Sequence, residues 1–273
     1  MKSRILKIVS ILMALVSVLS LCACEITPLF ETETTTEKVI VTKTPITGER
    51  NTAIAYFNKV VNALKEEKPN AEGVIERKAR GFECADELLK ANLSTLADKA
   101  LDKVKMGYSR DNAEQDFNEF MSVNGETWVS KLEATDVQNI LWIDHNKETY
   151  RIVILLGTEE NPVKGEGTYG KFYNIADKDA IMAEFEDAKN YFELKDYSTV
   201  YHDGKIVCNI DKETDQVKSI SYQKYVTVTA EGKGVNNLAS IGDQTITFEL
   251  TEDYTYNFDY SYLNPEPETT TAK

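Results

Sequence analysis

Alternation of apolar and polar residues dominates the last third of the chain. The pattern begins with Ile206, Cys208 and Ile210, and it resumes over residues 220–228, where Lys224 interrupts it. It returns later in the chain at Ile246, Phe248, Leu250, Tyr254, Tyr256, Phe258, Tyr260 and Tyr262. Successive side chains of a strand point to opposite faces of a sheet. A period of two therefore predicts antiparallel strands with one buried face and one solvated face.

The first half of the folded region carries a helical period instead. Its apolar residues recur at spacings of three and four, which indicate one buried stripe on a helix. These residues are Ile54, Phe57, Val61 and Leu64, then Leu89, Leu93, Leu96 and Ala100, then Phe117, Phe120 and Met121. A nearly continuous apolar run over residues 150–156 predicts a central strand, and Ile181, Phe185, Ala188 and Phe192 predict a further helix.

These patterns predict an α+β fold in which N-terminal helices pack on a twisted antiparallel sheet. A helix precedes each group of strands, at residues 50–66 before 137–156 and at residues 178–192 before 199–262. This order suggests two related helix-plus-sheet halves. Serial strands also disfavour the solute-binding lipoproteins of importers, whose lobes need alternating βαβ units.

A positively charged and then hydrophobic leader precedes the folded region. Lys2, Arg4 and Lys7 are followed by an apolar run over residues 8–21. This run is shorter than the roughly 17–25 residues of a membrane-spanning helix and is typical of a secretory signal peptide. An uncleaved signal anchor and ordinary signal-peptidase cleavage are the alternatives.

The leader ends in Leu21-Cys22-Ala23-Cys24, which resembles the lipobox of bacterial lipoproteins. The resemblance implies that residues 1–23 are removed and that Cys24 becomes the acylated N-terminus of a protein held in the cell membrane and facing the extracytoplasmic side. Cys22 is a poorer acceptor, because the large residue Leu21 would then precede the cleavage site. Two acyl chains on one cysteine would give stable attachment, since a single chain anchors only marginally.

Composition divides the rest of the chain into three parts. Residues 24–48 are rich in threonine and are predicted to be a tether, in which the run Val39-Ile40-Val41 could still pair as a short strand. Residues 49–263 are predicted to be one α+β globular domain. The tail at residues 264–273 is predicted to be disordered.

The mature chain is strongly acidic. Removal of residues 1–23 leaves 28 basic against 45 acidic residues, a formal net charge of −17. Such a surface repels phosphate backbones, so no nucleic-acid partner is expected. The expected partners are the membrane, through the anchor at Cys24, and an unidentified ligand or envelope partner.

Two cysteines, Cys84 and Cys208, remain outside the leader. Export permits a disulfide between them. Their separation in sequence gives no framework for one, and each is also typical of a small buried apolar residue.

Three apparent chemical motifs lack the context that their chemistry needs. Residues 165–170 fit G-x-G-x-x-G but do not join a strand directly to a helix, so no nucleotide cofactor is expected. The acidic runs at residues 144–148 and 211–215 lack the glycine and the closing glutamate of a calcium loop and predict hairpin turns, so no metal site is expected. His145 and His202 lie beside turn residues, and we assign no catalytic residue.

The aromatic ladder is the candidate ligand-binding face. It consists of Tyr254, Tyr256, Phe258, Tyr260 and Tyr262, whose rings could stack on sugars or line an apolar groove. The competing interpretation is a core strand beneath the helices, because regular alternation is what a buried face requires. Trp128 and Trp142 have the same two interpretations.

Two further stretches are similar to uncharacterised lipoproteins of Gram-positive anaerobes, at residues 128–137 and in the hairpin at residues 206–225. No activity is implied by this similarity. We expect a non-enzymatic binding or envelope-interaction domain that is tethered to the membrane. The alternatives are an extracellular hydrolase that uses two carboxylates and an envelope assembly or structural factor.

Overall fold

The structure is a computed structural model that describes residues 47–100, 103–120, 129–173, 175 and 192–263. The side chains of residues 47–49, 96–100, 119 and 237–238 are outside this description. The predicted leader, most of the predicted tether and the predicted tail also lie outside it. Both free cysteines are inside it, and neither forms a disulfide.

The elements alternate irregularly between helix and strand before three long strands complete the domain. The α-helices are α1 (Thr47–Glu67), α2 (Glu87–Ala100), α3 (Phe117–Phe120) and α4 (Tyr169–Phe172), with 3-10 turns at Asn236–Ile241 and Ser261–Leu263. The strands are β1 (Asn70–Glu83), β2 (Lys103–Tyr108), β3 (Asn139–Asp144), β4 (Thr149–Leu155), β5 (Glu159–Glu160), β6 (Phe192–Asp211), β7 (Val217–Gly234) and β8 (Asp243–Asp259).

All described strands join one antiparallel sheet in the order β2-β1-β8-β7-β6-β4-β3, and β5 pairs with part of β6. The long strands predicted from the alternating pattern are confirmed as β6, β7 and β8. The apolar run at residues 150–156 is confirmed as β4. The predicted helix at residues 178–192 lies outside the described residues up to Phe192, which is the first residue of β6.

The predicted α+β class is wrong, because the described chain is mostly β. Strands hold about twice as many residues as α-helices. The predicted two halves are wrong as well, since β1 pairs with both β2 and β8 and so joins the N-terminal and C-terminal segments in one sheet. The predicted N-terminal helices are α1, α2 and the short α3, and the strands β1 and β2 lie between them.

Strand β1 escaped prediction because its buried positions do not look apolar. Its inward residues include Gly73 and Arg77, which break the hydrophobic alternation. A Cβ atom at Gly73 would lie only 2.9 Å from the ring of Tyr256, so the absence of a side chain lets that ring pack on the strand. Arg77 can be buried because its charge pairs with that of Glu252, and composition alone does not reveal this pair.

One face of the sheet, termed the inner face, holds the hydrophobic core beneath the helices. Helix α1 begins inside the segment predicted as tether and buries Ile54, Phe57, Val61 and Leu64 in this core, as its period predicts. Helix α2 adds Leu89 and Leu93. Burying each such side chain contributes roughly 1.5–3 kcal/mol, which fixes the helix layer on the sheet.

A second, smaller apolar cluster, termed the outer patch, lies on the opposite face of the sheet. It consists of Leu141 and Ile143 from β3, Val153 and Leu155 from β4, and Val207 from β6. The register places Leu141 opposite Val153 and Val153 opposite Val207, so three strands contribute to one row. Elsewhere the outer face is rich in Thr, Ser, Asn and charged residues, as in the odd-numbered positions of β8.

Candidate functional site

The inner face contains a buried ion cluster formed by Arg77, Glu252 and Lys224. The sheet register places Glu252 directly opposite Arg77 on β1 and directly opposite Lys224 on β7. Arg77 Nε lies 2.8 Å from one carboxylate oxygen of Glu252, and Lys224 Nζ lies 2.7 Å from the other. All three residues are at most 6% exposed, so the charges interact in a region largely free of water.

Tyrosine side chains surround the ion cluster. Tyr254 accepts a hydrogen bond from Arg77 at 3.2 Å and donates one to Glu252 at 3.3 Å. The ammonium of Lys224 lies 5.2 Å from the ring centre of Tyr201 and 5.6 Å from that of Tyr173. The ring faces thus add cation–π attraction to the ion pairs.

Glu252 stays ionised in this setting. Burial alone would raise its pKa, but the charges of Lys224 and Arg77 and their hydrogen bonds outweigh burial and hold the pKa below its usual value. Both carboxylate oxygens already have cationic partners. Glu252 is therefore suited to holding three strands in register and unsuited to donating a proton or attacking a substrate.

Strand β6 contains a bulge beside Lys224 of β7. The register of β6 with β7 shifts between His202 and Lys205, and Asp203 adopts a φ of 50°. The amide of Gly204 donates to the hydroxyl of Tyr169 at 2.9 Å, and that hydroxyl donates to the carbonyl of Gly157 at 2.9 Å. The bulge thus lets α4 approach the strand closely.

The predicted ligand face divides into two parts. Tyr254 and Tyr256 are 8% and 6% exposed and belong to the core, where Tyr256 contacts the rings of Phe120 and Tyr222. Phe258, Tyr260 and Tyr262 are only half-buried, at the end of β8 and just beyond it. A ligand could therefore reach the second part without opening the helix layer.

Other half-buried rings lie at the same end of the sheet. Trp142 stacks on Tyr56 of α1 with ring centres 4.8 Å apart and meets Tyr150 edge-on at 5.7 Å. Tyr150 is in register with Ile210, which in turn is in register with Val217 at the start of β7. We term the rings Tyr56, Trp142, Tyr150, Tyr260 and Tyr262 the aromatic rim.

The two sides of the aromatic rim are about 15 Å apart. The row from Tyr150 crosses β6 and β7 before it reaches the end of β8, and neighbouring strands are about 4.8 Å apart. This separation would suit an extended ligand of several units.

The turn between β6 and β7 anchors one side of the aromatic rim to helix α1. Tyr56 donates a 2.6 Å hydrogen bond to Asp215, whose other oxygen pairs with Lys59 at 2.8 Å. The hydrogen bonds from Lys59 and Tyr56 lower the pKa of Asp215. Lys212 of the same turn pairs with Asp144 and lies over the ring of Tyr150.

The other side of the rim is held by Arg110 and the end of α1. The guanidinium of Arg110 lies 4.2 Å from the ring centre of Tyr262 and donates to the carbonyl of Glu67 at 3.0 Å. Tyr262 donates to the same carbonyl at 3.1 Å. Each side of the rim therefore carries one tyrosine, Tyr56 or Tyr262, whose hydroxyl is fixed by a hydrogen bond while part of its ring stays accessible.

The glycine-rich segment at residues 165–170 forms a loop before the single-turn helix α4. The carboxylate of Glu159 accepts hydrogen bonds from the amides of Thr168 and Tyr169 at 3.1 and 2.8 Å. A Cβ atom at Gly167 would lie 1.8 Å from Glu159, so that glycine allows the carboxylate to approach. The loop amides that would bind a phosphate thus already bind a carboxylate.

The two acidic runs form turns, as predicted. Asn146 caps the turn between β3 and β4 through the amides of Glu148 and Thr149, and Asp211 caps the turn between β6 and β7. Within the described part of the chain, no three His, Cys, Asp or Glu side chains converge to hold a metal ion. His202 contacts Asp203 and Thr227, and His145 contacts Arg151.

Two pairs of carboxylates face each other directly across neighbouring strands, and one of them, Asp196 and Glu231 on β6 and β7, is solvent-exposed. Glu76 and Asp253 face each other on the outer face of β1 and β8. Burial raises the pKa of Asp253, and Glu76 adds repulsion, whereas the hydrogen bond from Lys78 lowers the pKa of Glu76. The pair lies among the solvated side chains of that face, so it lacks the enclosed cleft of a glycoside-hydrolase site.

The lipobox residues Leu21 to Cys24 lie outside the described residues. None of the helices in the described ranges combines the length and the apolar character needed to cross a membrane. No protein-family model, curated protein or solved structure matches the chain.

The prediction of site residues missed the ion cluster. Lys224 was visible as the one charge in an alternating apolar row, and this was the only available signal. Glu252 was hidden among neighbouring acidic and threonine residues, and Arg77 lay in a segment with no evident period. The contact among these three residues depends on the register of β1, β8 and β7, and no local sequence pattern specifies that register.

Proposed function

We propose that the chain is an extracytoplasmic lipoprotein, anchored to the membrane by lipid on Cys24, whose domain binds a ligand and does not catalyse a reaction. The observation that carries the binding role is the aromatic rim, where half-buried rings collect at one end of the sheet and the hydroxyls of Tyr56 and Tyr262 are fixed by hydrogen bonds. The alternative use of carboxylates in hydrolysis has less support, because Glu252, the most buried carboxylate of the described residues, is held ionised by two cations.

The chemistry of the rim favours an envelope glycan as the ligand. Tyrosine and tryptophan present an apolar ring face together with a polar tip, which matches the alternating CH and OH surfaces of a sugar. The mature chain carries a formal net charge of −17, so a strongly anionic polymer would be repelled. A neutral or weakly charged glycan chain meets both conditions.

The anchor can be tested without knowledge of the ligand. Cys24→Ala removes the acceptor of the lipid and is expected to move the protein from the membrane fraction to the medium. Cys22→Ala is the matched control and should leave the protein on the membrane, because Cys22 is not the expected acceptor. Retention of Cys24→Ala in the membrane after a carbonate wash would contradict the lipid anchor.

The binding role can be tested with insoluble peptidoglycan as the probe. Tyr262→Ala removes a rim ring that lies under Arg110, and it should weaken co-sedimentation about 2- to 10-fold, as expected for one lost ring contact. Tyr225→Ala is the matched control, because Tyr225 is also half-buried and lies 6.0 Å below Arg80 but belongs to the outer face. Equal binding by both variants and the unmodified protein would contradict a role for the rim.

A further inference from the structure

Strand β3 lies at an edge of the sheet but has the composition of an interior strand. Its inner-face residues are Ile140 and Trp142, and its outer-face residues Leu141 and Ile143 are only 7% and 8% exposed. Strands that are apolar on both faces are typical of positions between two neighbours. Within the described residues, β4 is the only strand that pairs with β3.

The opposite edge of the sheet is protected in the usual way. Strand β2, which like β3 is six residues long, carries Lys103 and Lys105. Lysine side chains on an edge strand resist pairing with additional strands. Strand β3 carries no lysine, proline or bulge, and the N–H of Ile140 donates to the side chain of Asn139 at 2.8 Å rather than to a strand. The two edges therefore differ in their capacity to accept a strand.

The N-terminal end of helix α1 lies beside this open edge. Helix α1 begins at Thr47, and Arg50 in its first turn donates to the carbonyl of Gln138, the residue before β3, at 3.4 Å. Residues 38–43 read Lys-Val-Ile-Val-Thr-Lys, which combines β-branched residues with charges at both ends. Only residues 44–46 separate this segment from α1, and three residues reach about 10 Å.

We propose that residues 38–43 add to the edge of β3 as an antiparallel strand. In the antiparallel direction, Lys43 lies at the start of β3, close to the first turn of α1. Lys38 then lies beside Asp144 at the acidic end of β3. In this register Val41 is opposite Leu141 and Val39 is opposite Ile143. The two valines thereby extend the outer patch, and the short connection gives the segment a high effective concentration at this edge.

Strand addition would shorten the tether. With residues 38–43 paired, the free spacer behind Cys24 is reduced to residues 25–37, whose typical span as a flexible coil is about 20 Å. The domain would then stand close to the surface of the membrane. This consequence rests on the proposed anchor at Cys24, whereas the strand pairing does not.

Hydrogen exchange on the full-length chain tests the pairing directly. The amides of Ile40 and Thr42, which point to β3 in this register, are expected to exchange at least about 10-fold more slowly than those of residues 31–36, which belong to the same predicted tether. Ile40→Pro removes a donor and should abolish this difference while the protection of β6 persists. Equal exchange of the two segments in the unmodified chain would overturn the proposal, whatever the Cys24→Ala fractionation shows.

A cysteine pair tests the register. Leu141 and Val41 would form a pair without backbone hydrogen bonds, in which Cα atoms lie about 4.5 Å apart and a disulfide can close. Val41→Cys with Leu141→Cys should form a bridge within one chain, whereas Thr36→Cys with Leu141→Cys should not. A bridge between two chains would show that a second copy occupies the edge and would overturn the proposal.

Discussion

The ammonium of Lys224 lies 2.7 Å from the carboxylate of Glu252, and each residue is at most 3% exposed. A buried pair of charges is stable only when attraction and hydrogen bonds offset the loss of water. Here Arg77 binds the second oxygen of the same carboxylate, so one anion serves two cations from the flanking strands. The cluster therefore depends most on Glu252.

Removal of Glu252 should destabilise the domain severely. Glu252→Ala leaves Arg77 and Lys224 buried without their shared anion, and we expect a loss of about 3–5 kcal/mol in the free energy of unfolding. Denaturant titration measures this loss. The control is Asp243→Ala, which breaks a surface pair with Lys195 and should leave the free energy of unfolding nearly unchanged, because exposed ion pairs are screened by solvent.

A triple substitution separates the charges from the shape of the site. Arg77→Met, Lys224→Met and Glu252→Leu together remove every charge while keeping apolar volume, and this variant should be more stable than Glu252→Ala alone. If the triple variant were the less stable of the two, uncompensated charge would not be the cause of the loss.

Replacement of Asp253 should stabilise the domain at neutral pH. Burial raises its pKa in the folded state, and the repulsion of Glu76 adds to this, although a hydrogen bond with Gln223 acts in the opposite direction. A raised pKa means that the folded state binds the proton more tightly, so stability falls as the pH rises through the folded pKa. Asp253→Asn should therefore raise the Tm at pH 7.

The gain from Asp253→Asn should shrink as the pH approaches 4, where the aspartate of the unmodified protein becomes protonated. Asp243→Asn provides a control of opposite sign, because the hydrogen bond from Lys195 lowers the pKa of Asp243. That variant should show no gain in Tm at pH 7. A pH-independent gain from Asp253→Asn would rule out the ionisation of Asp253 as its source.

The buried amine of Lys65 should make the stability of the domain change with pH above neutrality. Burial near the ring of Phe117 lowers the pKa of Lys65 to about 7, and Asp116 only partly opposes this. The folded state then binds fewer protons than the unfolded state between about pH 7 and pH 10, so this contribution to stability increases with pH over that range and is lost as the pH falls.

Lys65→Met keeps the apolar stem and removes the charge, so it should raise the Tm at pH 6. Each kcal/mol gained corresponds to about 2–4 °C for a domain of this size. The gain should be smaller at pH 10. Lys131→Met alters an exposed lysine and should leave the Tm unchanged at both pH values. A similar gain in Tm for Lys65→Met and Lys131→Met would contradict the prediction.

The sequence predicted those elements whose buried residues are mostly apolar. Helix α1 and strands β4, β6 and β8 follow from their periods, because composition and burial agree in them. Strand β1 was missed because Gly73 and Arg77 occupy buried positions, one to accommodate a ring and the other to pair with Glu252.

The candidate site was only partly predictable for a related reason. The aromatic ladder was visible as a pattern, but its division into buried Tyr254 and half-buried Tyr262 depends on where α1 ends. The stacking of Tyr56 on Trp142 joins residues 86 positions apart, and no local pattern specifies it. The positions of these side chains depend on the pairing of strands far apart in the sequence, including the bulge at Asp203, and local patterns do not specify that pairing.

Substitution of Gly204 should disturb the contact between the bulge and α4. A Cβ atom at this position would lie 2.6 Å from the hydroxyl oxygen of Tyr169 and 2.9 Å from its ring, so Gly204→Ala forces a buried tyrosine to move. Overpacking of this kind typically costs about 1–3 kcal/mol. Chemical denaturation of Gly204→Ala should show a loss in this range, whereas Gly107→Ala, whose Cβ would have no neighbour closer than 4.0 Å, should lose less.

A double-mutant cycle with Tyr169→Ala identifies the cause of the loss. Truncation of Tyr169 removes the atoms that a Cβ at Gly204 would meet, so Gly204→Ala should cost much less in that background than in the unmodified protein. The same variant also removes the hydrogen bond from the Gly204 amide, and the single Tyr169→Ala variant accounts for that effect. If Gly204→Ala cost the same in both backgrounds, the close approach of Tyr169 would not be what requires glycine in the bulge.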